Sequence, residues 1–322
     1  MLNPVFRREL NTALRSWKTY GALTVYILLL AAVERIFIAS ISNNYGYYNY
    51  NSGFNPQETT QLYAILAGFQ FVLIMIITPA LTAGSIAGER ERQTLNLMLI
   101  TKMSTFKIAV GKLLSSLSVI LLLIIASMPV FAMIFYYGGV SVLDLAAIIL
   151  YTILSAAAMG SICIFLSSLF KRTVSATVMS YLTIMVLCIG TFVAAFLSYM
   201  FFRFAMGNAI FSTYGGTTTV INADPTTVPL SATVSKAILI FIFSFNPFAG
   251  FLSIIDTQLG TGIVDDLFYE LSYDFSYNYG AQAFTSVNLW VYNVIFNVII
   301  IAIMLFLTSK VLTPVKASRK NK

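Results

Sequence analysis

The stretch GSIAGERERQTLNLMLITK, residues 84–102, lies between two long apolar runs and carries four consecutive charges, Glu89, Arg90, Glu91 and Arg92. The whole chain of 322 residues is 58% hydrophobic and only 10% charged. A soluble domain is about 45–50% apolar and about 25% charged. The composition therefore indicates an integral membrane protein, in which residues 84–102 form a polar link between two membrane spans.

Six apolar runs are long enough to cross a bilayer, which takes about 20 helical residues. They are residues 20–41, 61–83, 108–136, 142–170, 173–202 and 287–309. A seventh run, 236–256, is interrupted by Asn246 and Pro247, and proline disfavours helix at the residue before it. We interpret this run as a re-entrant hairpin that enters from the outer face, because a seventh span would move the Lys-rich C-terminus outside.

Lysine and arginine crowd the cytoplasmic loops of membrane proteins. Most of the 19 in this chain lie in the N-terminal tail, between Arg90 and Lys112, in the turn Lys171-Arg172 and in the C-terminal tail. We therefore expect a multi-pass protein of the cell (plasma) membrane with both termini in the cytoplasm.

The predicted fold is all-α, with one transmembrane domain over residues 1–322 that contains six transmembrane helices. A cytoplasmic amphipathic helix precedes the first span at residues 1–19, and a cytoplasmic segment links the second and third spans at 84–107. An outer region at 203–286 includes the re-entrant hairpin 236–256. The sequence thus predicts charged elements on the inner face and the hairpin on the outer face.

Several kinds of chemistry lack their usual residues in this sequence. There is no histidine, and Cys163 and Cys188 lie inside apolar runs, where neither a disulfide nor a metal site is expected. A phosphate-binding loop needs a glycine five residues before its Gly-Lys pair and a hydroxyl after it, whereas Gly111-Lys112 has Phe106 and Leu113 there. We therefore expect no catalytic residue, no metal and no bound nucleotide. The net charge of +7 follows from the membrane topology and does not indicate a nucleic-acid partner.

A helix over residues 88–106 would place Leu95, Leu99, Met103 and Phe106 on one apolar stripe. Such a helix can lie on the inner leaflet, serve as a solvated link or dock into a protein groove. A link alone needs no apolar stripe, and a helix that binds the leaflet is more often uniformly basic. The mixed charges therefore favour docking into a groove that presents both signs of charge.

The longer stretch GERERQTLNLMLITKMSTFKIAVGKLL, residues 88–114, resembles the membrane subunits of ABC transporters of the type 2, exporter-like class. The matching residues are Gly88, Glu89, Arg90, Glu91, Thr94, Leu95, Met98, Leu99, Thr101, Gly111 and Lys112. Gln93 stands where a glycine is common in that family, and Lys102 where a proline is common. These two departures predict a helix that runs further before it breaks than in relatives.

The resemblance implies a permease subunit that exports a substrate and is driven by a separate ATPase subunit, present in two copies, which binds the ATP and magnesium. A second permease subunit, identical or homologous, would complete the path, and membrane lipid would surround both. Residues 84–107 would be the coupling segment, and the turn 171–172 would be a second, smaller contact. The residues that would contact the ATPase are Gly88, Glu89, Arg90, Glu91, Arg92, Thr94, Leu95, Leu99, Lys171 and Arg172.

Two further sets of residues are candidates for moving or binding the substrate. Pro79 and Gly84, at the inner end of the second span, form a possible hinge, because proline kinks a helix and small residues allow close packing. Glu34, Arg35 and Arg203 are charges at or near membrane depth, where charge is costly and often functional. Their simpler role is that of boundary residues that reach for headgroups, and the alternative is that they line a possible substrate path.

Two other classes of protein compete with the permease interpretation. A self-contained channel or secondary transporter would need ion ligands within the membrane or an internal repeat. An intramembrane enzyme would need reactive groups near the midplane, and a sequence without histidine offers few of them. An ATPase that co-purifies with the chain would distinguish the permease from both.

Overall fold

The computed structural model describes residues 15–44, 56–95, 104–213, 238–262 and 288–312. The regular elements in these ranges are helices, and six of them are long and apolar enough to cross a membrane. This confirms the predicted all-α membrane fold with six spans. The predicted N-terminal amphipathic helix falls almost wholly outside the described residues, as does most of the outer region 203–286.

The spans are α1 (Trp17–Asn44), α2 (Pro56–Thr82), α4 (Thr105–Tyr137), α5 (Val142–Leu169), α6 (Thr173–Thr213) and α9 (Leu289–Leu312). The shorter helices are α3 (Ala87–Glu91), α7 (Ile238–Ser244) and α8 (Pro247–Leu259). Serine side chains cap the N-termini of α4 and α5. Ser104 accepts a hydrogen bond from the backbone N–H of Lys107, and Ser141 forms a capping box with Asp144.

One compact unit contains the described residues up to Leu182 together with those from Asn297 onward. Helix α5 lies at its centre, because 16 of its 28 residues are buried, whereas in α1 Tyr26, Leu30 and Glu34 are the buried ones among those whose exposure the structure describes. Small residues allow this central position. A Cβ atom added at Gly160 would lie 3.1 Å from Leu113 Cδ1 and 3.4 Å from Thr82 Cγ2, so glycine lets α5 approach α2 and α4 closely.

The second unit, Thr183–Phe296, contains the rest of α6, helices α7 and α8, and the start of α9. Helices α7 and α8 meet at a bend of 103°. At about 1.5 Å per residue they are roughly 10 and 20 Å long, and neither spans a core of about 30 Å. The bend lies at the predicted Asn246, and its geometry is compatible both with the re-entrant hairpin predicted for 236–256 and with one broken span formed by the two helices together.

Asn246 satisfies the backbone on one side of this break. It is fully buried, and its Oδ1 accepts a hydrogen bond from the N–H of Phe248 at 2.9 Å. Its Nδ2 donates to the carbonyl of Cys188 at 3.0 Å and to Oγ1 of Thr191 at 2.8 Å. One amide thus caps α8 and attaches the bend to α6.

Asn293 satisfies the other side of the break. This buried residue of α9 donates through Nδ2 to the carbonyls of Ser244 and Asn246, at 2.8 and 2.9 Å. Broken backbone at membrane depth is tolerated only where protein or water satisfies its polar groups. Two asparagine side chains meet that requirement here.

We predict that Asn293→Leu destabilises the protein, because it leaves two buried carbonyls without this donor. The expected loss is about 1–3 kcal/mol, the cost of leaving buried polar groups unpaired. Thermal unfolding of the purified protein in detergent measures it. Tyr292→Leu, at the neighbouring exposed position of α9, is the control and should change the melting temperature little. Equal melting temperatures for Asn293→Leu and the parent protein would contradict this account of the bend.

Candidate functional site

The connector, residues 83–104, joins α2 to α4 and contains the charged motif. Its described part turns at 83–86, forms α3 and turns again at Arg92 and Gln93. Ser104 then starts a separate helix. The predicted single helix over 88–106 is therefore wrong, because the chain breaks after one turn and begins again.

The break after α3 lies at Gln93, where the resemblance predicted a longer helix. Gln93 has φ of 59°, a left-handed conformation that costs a residue other than glycine about 1–2 kcal/mol. Thr94 compensates, since its N–H and its Oγ1 both donate to the carbonyl of Glu89, at 2.9 and 3.2 Å. The expectation that Gln93 would prolong the helix is corrected: the turn forms without the glycine.

Leu95 lies inside the unit and not on an outward-facing stripe. It is buried in an apolar cluster with Ile86, Ala109, Leu113, Ile164, Leu305 and Leu312. At the other end of the predicted stripe, Phe106 is 46% exposed. Leu99 lies outside the described residues. Leu95 therefore anchors the connector to this chain's own helices.

Glu89 forms an ion pair with Lys112 of α4. Lys112 Nζ lies 2.9 Å from Glu89 Oε1 and also donates to the carbonyl of Ser85 at 2.8 Å. The Lys112 side chain is 2% exposed and that of Glu89 is 16% exposed. The two ends of the family-like stretch, Gly-Glu-Arg-Glu and Gly-Lys, thus bind each other. Sequence spacing alone does not predict this pairing, although both residues belong to the matched stretch.

Arg90 binds the end of α5. Its Nη2 donates to the carbonyl of Ser168 at 2.9 Å, and its Nη1 donates to that of Phe170 at 3.1 Å. The last carbonyls of a helix have no partner within the helix and carry partial negative charge. A guanidinium with its fork of donors is well suited to this position.

Glu91 binds the start of α6. Its Oε2 accepts a hydrogen bond from Thr173 Oγ1 at 2.7 Å, and the N–H of Thr173 lies 3.4 Å away. A carboxylate is favourable at a helix N-terminus, where the free N–H groups carry partial positive charge. The consecutive residues Arg90 and Glu91 therefore complement the end of one helix and the start of the next.

Further contacts bring the connector against the α5–α6 turn, residues 170–172. Oγ of Ser167 accepts from the N–H groups of Ile86 and Ala87, at 3.1 and 2.9 Å. A Cβ atom added at Gly88 would lie 3.3 Å from Thr173 Cγ2, which leaves little room for a larger residue. The start of the predicted coupling segment 84–107 and the predicted second contact at 171–172 are thus neighbours.

The remaining predicted contact residues face solvent. Arg92, Thr94, Lys171 and Arg172 are all exposed. The predicted hinge residue Pro79 lies inside α2, and Gly84 lies in the turn that follows, where an added Cβ atom would meet no described atom within 4 Å. Near the proline, Tyr181 of α6 donates its hydroxyl to the carbonyl of Ile76 at 3.0 Å.

The candidate path residues differ in exposure. Glu34 is 6% exposed and shares one face of α1 with the buried Tyr26 and Leu30, whereas Arg35 is exposed. Glu34 Oε1 has no hydrogen-bond partner among the described residues. Arg203 lies in α6. The buried position of Glu34 differs from that of a side chain that reaches for lipid headgroups.

A model of one protein family, described as ABC-2 family transporter protein, matches residues 3–311. The chain belongs to this family. A search of curated proteins finds no match. The protein is therefore a multi-pass membrane permease of an ABC transporter, and in this family the membrane component works with an ATPase subunit and is not itself the ATPase.

We predict that Lys112→Met destabilises this permease by about 2–3 kcal/mol. Breaking a fully buried ion pair costs about 3–5 kcal/mol, and the partial exposure of Glu89 reduces the figure. The double variant Glu89→Gln/Lys112→Met should regain part of the loss, because no buried charge is left without its ion partner. Thermal unfolding in detergent gives both values, with the exposed Lys310→Met as control. A double variant that is less stable than Lys112→Met would contradict the pairing.

Proposed function

We propose that this permease exports a substrate across the cell membrane and is driven by a separate ATPase subunit that docks at the connector. Two copies of the ATPase bind ATP and magnesium on the cytoplasmic side. A second permease subunit, identical or homologous, completes the path. This chain supplies the path and the docking surface and has no cofactor of its own.

The observation that carries this proposal is the bonding of three consecutive charges to three different helices. Glu89 binds α4, Arg90 binds the end of α5 and Glu91 binds the start of α6, while the connector itself continues α2. Such bonds are short and directional, and packed helices resist compression. A force on the connector would therefore reach four helix ends together, which is what an external ATPase requires.

Pro79 provides a place where α2 can bend in response. Proline removes one hydrogen bond from the helix, and kinks concentrate at such sites. The bond from Tyr181 to the carbonyl of Ile76 joins α6 to α2 beside this position. We expect displacement of the connector to change this contact first.

The distribution of charge supports the proposed orientation. The connector, the α5–α6 turn and the start of α4 contain most of the Lys and Arg residues in the described loops and helix ends. Glu58 and Asp144, in contrast, belong to the first turns of α2 and α5, at the other ends of these spans. The connector would therefore be cytoplasmic, as would both termini.

We predict that the chain, purified in mild detergent from its own host, carries an ATPase with a phosphate-binding loop that mass spectrometry identifies. Gly88→Leu should lower recovery of that ATPase about tenfold, because the larger side chain would push the connector away from Thr173 and the ATPase would bind only the undisplaced arrangement. A cost of about 1.4 kcal/mol for keeping that arrangement reduces its population tenfold. Gly21→Leu is the control, since a Cβ atom there meets nothing within 4 Å. Absence of any ATPase from the parent protein would favour a self-contained channel or secondary transporter.

We predict the orientation of α5 from the same proposal. In a background with Cys163 and Cys188 replaced by alanine, Val142→Cys at the start of α5 should react with an impermeant thiol reagent on intact cells. Arg172→Cys, just beyond the end of α5, should react only after the cells are permeabilised. Both positions are exposed, so access to the reagent depends on the side of the membrane. The reverse pattern of labelling would overturn the proposed topology.

A further inference from the structure

The connector and the α5–α6 turn present one common surface. Arg90 donates to the carbonyls of Ser168 and Phe170, just before the exposed pair Lys171-Arg172, and Glu91 binds Thr173 just after it. The hydrogen bonds therefore bracket this pair on both sides. Arg92 is also exposed and follows Glu91 directly. We call Arg92, Lys171 and Arg172 the tip surface.

The structure changes the balance of charge that the connector and the α5–α6 turn offer to a partner. In the sequence, residues 89–92 have two acids and two arginines, which predicts a partner groove with both signs of charge. In the structure, Glu89 is neutralised by the buried Lys112, whereas Glu91 stays exposed and accepts a hydrogen bond from the neutral hydroxyl of Thr173, which leaves its charge in place. The three cations of the tip surface face solvent. A partner therefore meets three exposed cations and the one exposed carboxylate of Glu91, which is a net positive charge.

We propose that the tip surface binds an acidic patch, built from aspartate and glutamate side chains, on the ATPase subunit. This inference rests on the proposed function and names the chemistry of the partner at its site. Arginine is suited to the task, because its planar fork pairs with a carboxylate through two parallel hydrogen bonds. Complementary charge speeds encounter and fixes the register of two proteins.

The competing occupant is an anionic lipid headgroup, and the geometry favours the protein. The tip surface lies in turns beyond the helix ends, and the bonds of Arg90 and Glu91 hold those turns in place. A surface that is already ordered loses less entropy when a folded partner docks. Lys310 is different, since it lies over the ring of Phe306 on its own helix, 4.7 Å from the centroid, as cations at a membrane interface do.

The test uses the full chain in nanodiscs of neutral lipid and the ATPase that co-purifies with it. Binding is measured at low and at high salt for the parent protein, Arg92→Glu, the triple variant Arg92→Glu/Lys171→Glu/Arg172→Glu, and the matching triple variant to Gln. Lys310→Glu is the control, an exposed cation outside the tip surface. Thermal unfolding shows whether each variant is folded. If the triple Glu variant does not fold, the milder triple Gln variant still tests the role of the three charges in ATPase binding.

We expect the triple Glu variant to raise the Kd for the ATPase about tenfold at low salt, the Gln variant to raise it less, and Lys310→Glu to leave it unchanged. The differences should shrink at high salt, because salt screens exposed charges. An unchanged Kd for the triple Glu variant would overturn the acidic-patch proposal while leaving the proposed function intact. If the variants instead lose only their retention of anionic lipid in mixed nanodiscs, the occupant is lipid and the proposal is also overturned. A parent protein that binds no ATPase would overturn both.

Discussion

The ion pair between Glu89 and Lys112 is the interaction on which the charged end of this bundle depends. Lys112 lies among apolar residues near the start of α4, where an ammonium group without a counter-charge would be costly. Its pairing with Glu89 fixes the position of α3, and that position aims the side chains of Arg90 and Glu91 at α5 and α6. Loss of the pair would thus affect contacts that neither residue makes itself.

The same physical requirement shapes the bend between α7 and α8. Backbone groups that leave regular helix inside a membrane need partners, and here two asparagine amides provide them. At the charged end, helix termini need partners as well, and Arg90 and Glu91 provide them. In both places a side chain from a distant part of the sequence completes the hydrogen bonds of a helix end.

The sequence was sufficient to predict what depends on local pattern. Long apolar runs predicted all six spans, and Asn246-Pro247 predicted the position of the break, because hydropathy and proline geometry act within a few residues. The hydrogen-bond partners of the charged residues were not predictable, since Arg90 and Ser168 lie 78 residues apart in the sequence. Asn293 was overlooked, although an asparagine in an apolar run is itself a sign of a buried hydrogen bond.

The error over the connector has one physical origin. The position of Leu95 in the sequence fits an amphipathic helix. An apolar stripe does not show, however, whether the surface that packs against it belongs to the same chain or to a partner. The hydrogen bonds of Thr94 end α3, and the cluster with Ile86 and Leu113 then draws Leu95 inward. Periodicity alone therefore could not show that Leu95, in the described part of the connector, packs against this chain's own helices.

A connector bonded in this way limits how the helix ends can move. Pulling α3 away from α4 would break a largely buried ion pair, at a cost of about 2–3 kcal/mol, whereas small shifts of packed helices as a group keep such contacts. Motion imposed from outside should therefore carry the ends of α2, α4, α5 and α6 together, and bending should fall where α2 already lacks a hydrogen bond, at Pro79. Glu89, Arg90 and Glu91 thus bind this chain's own helices, and among the described residues beside them the exposed cations are available to a partner.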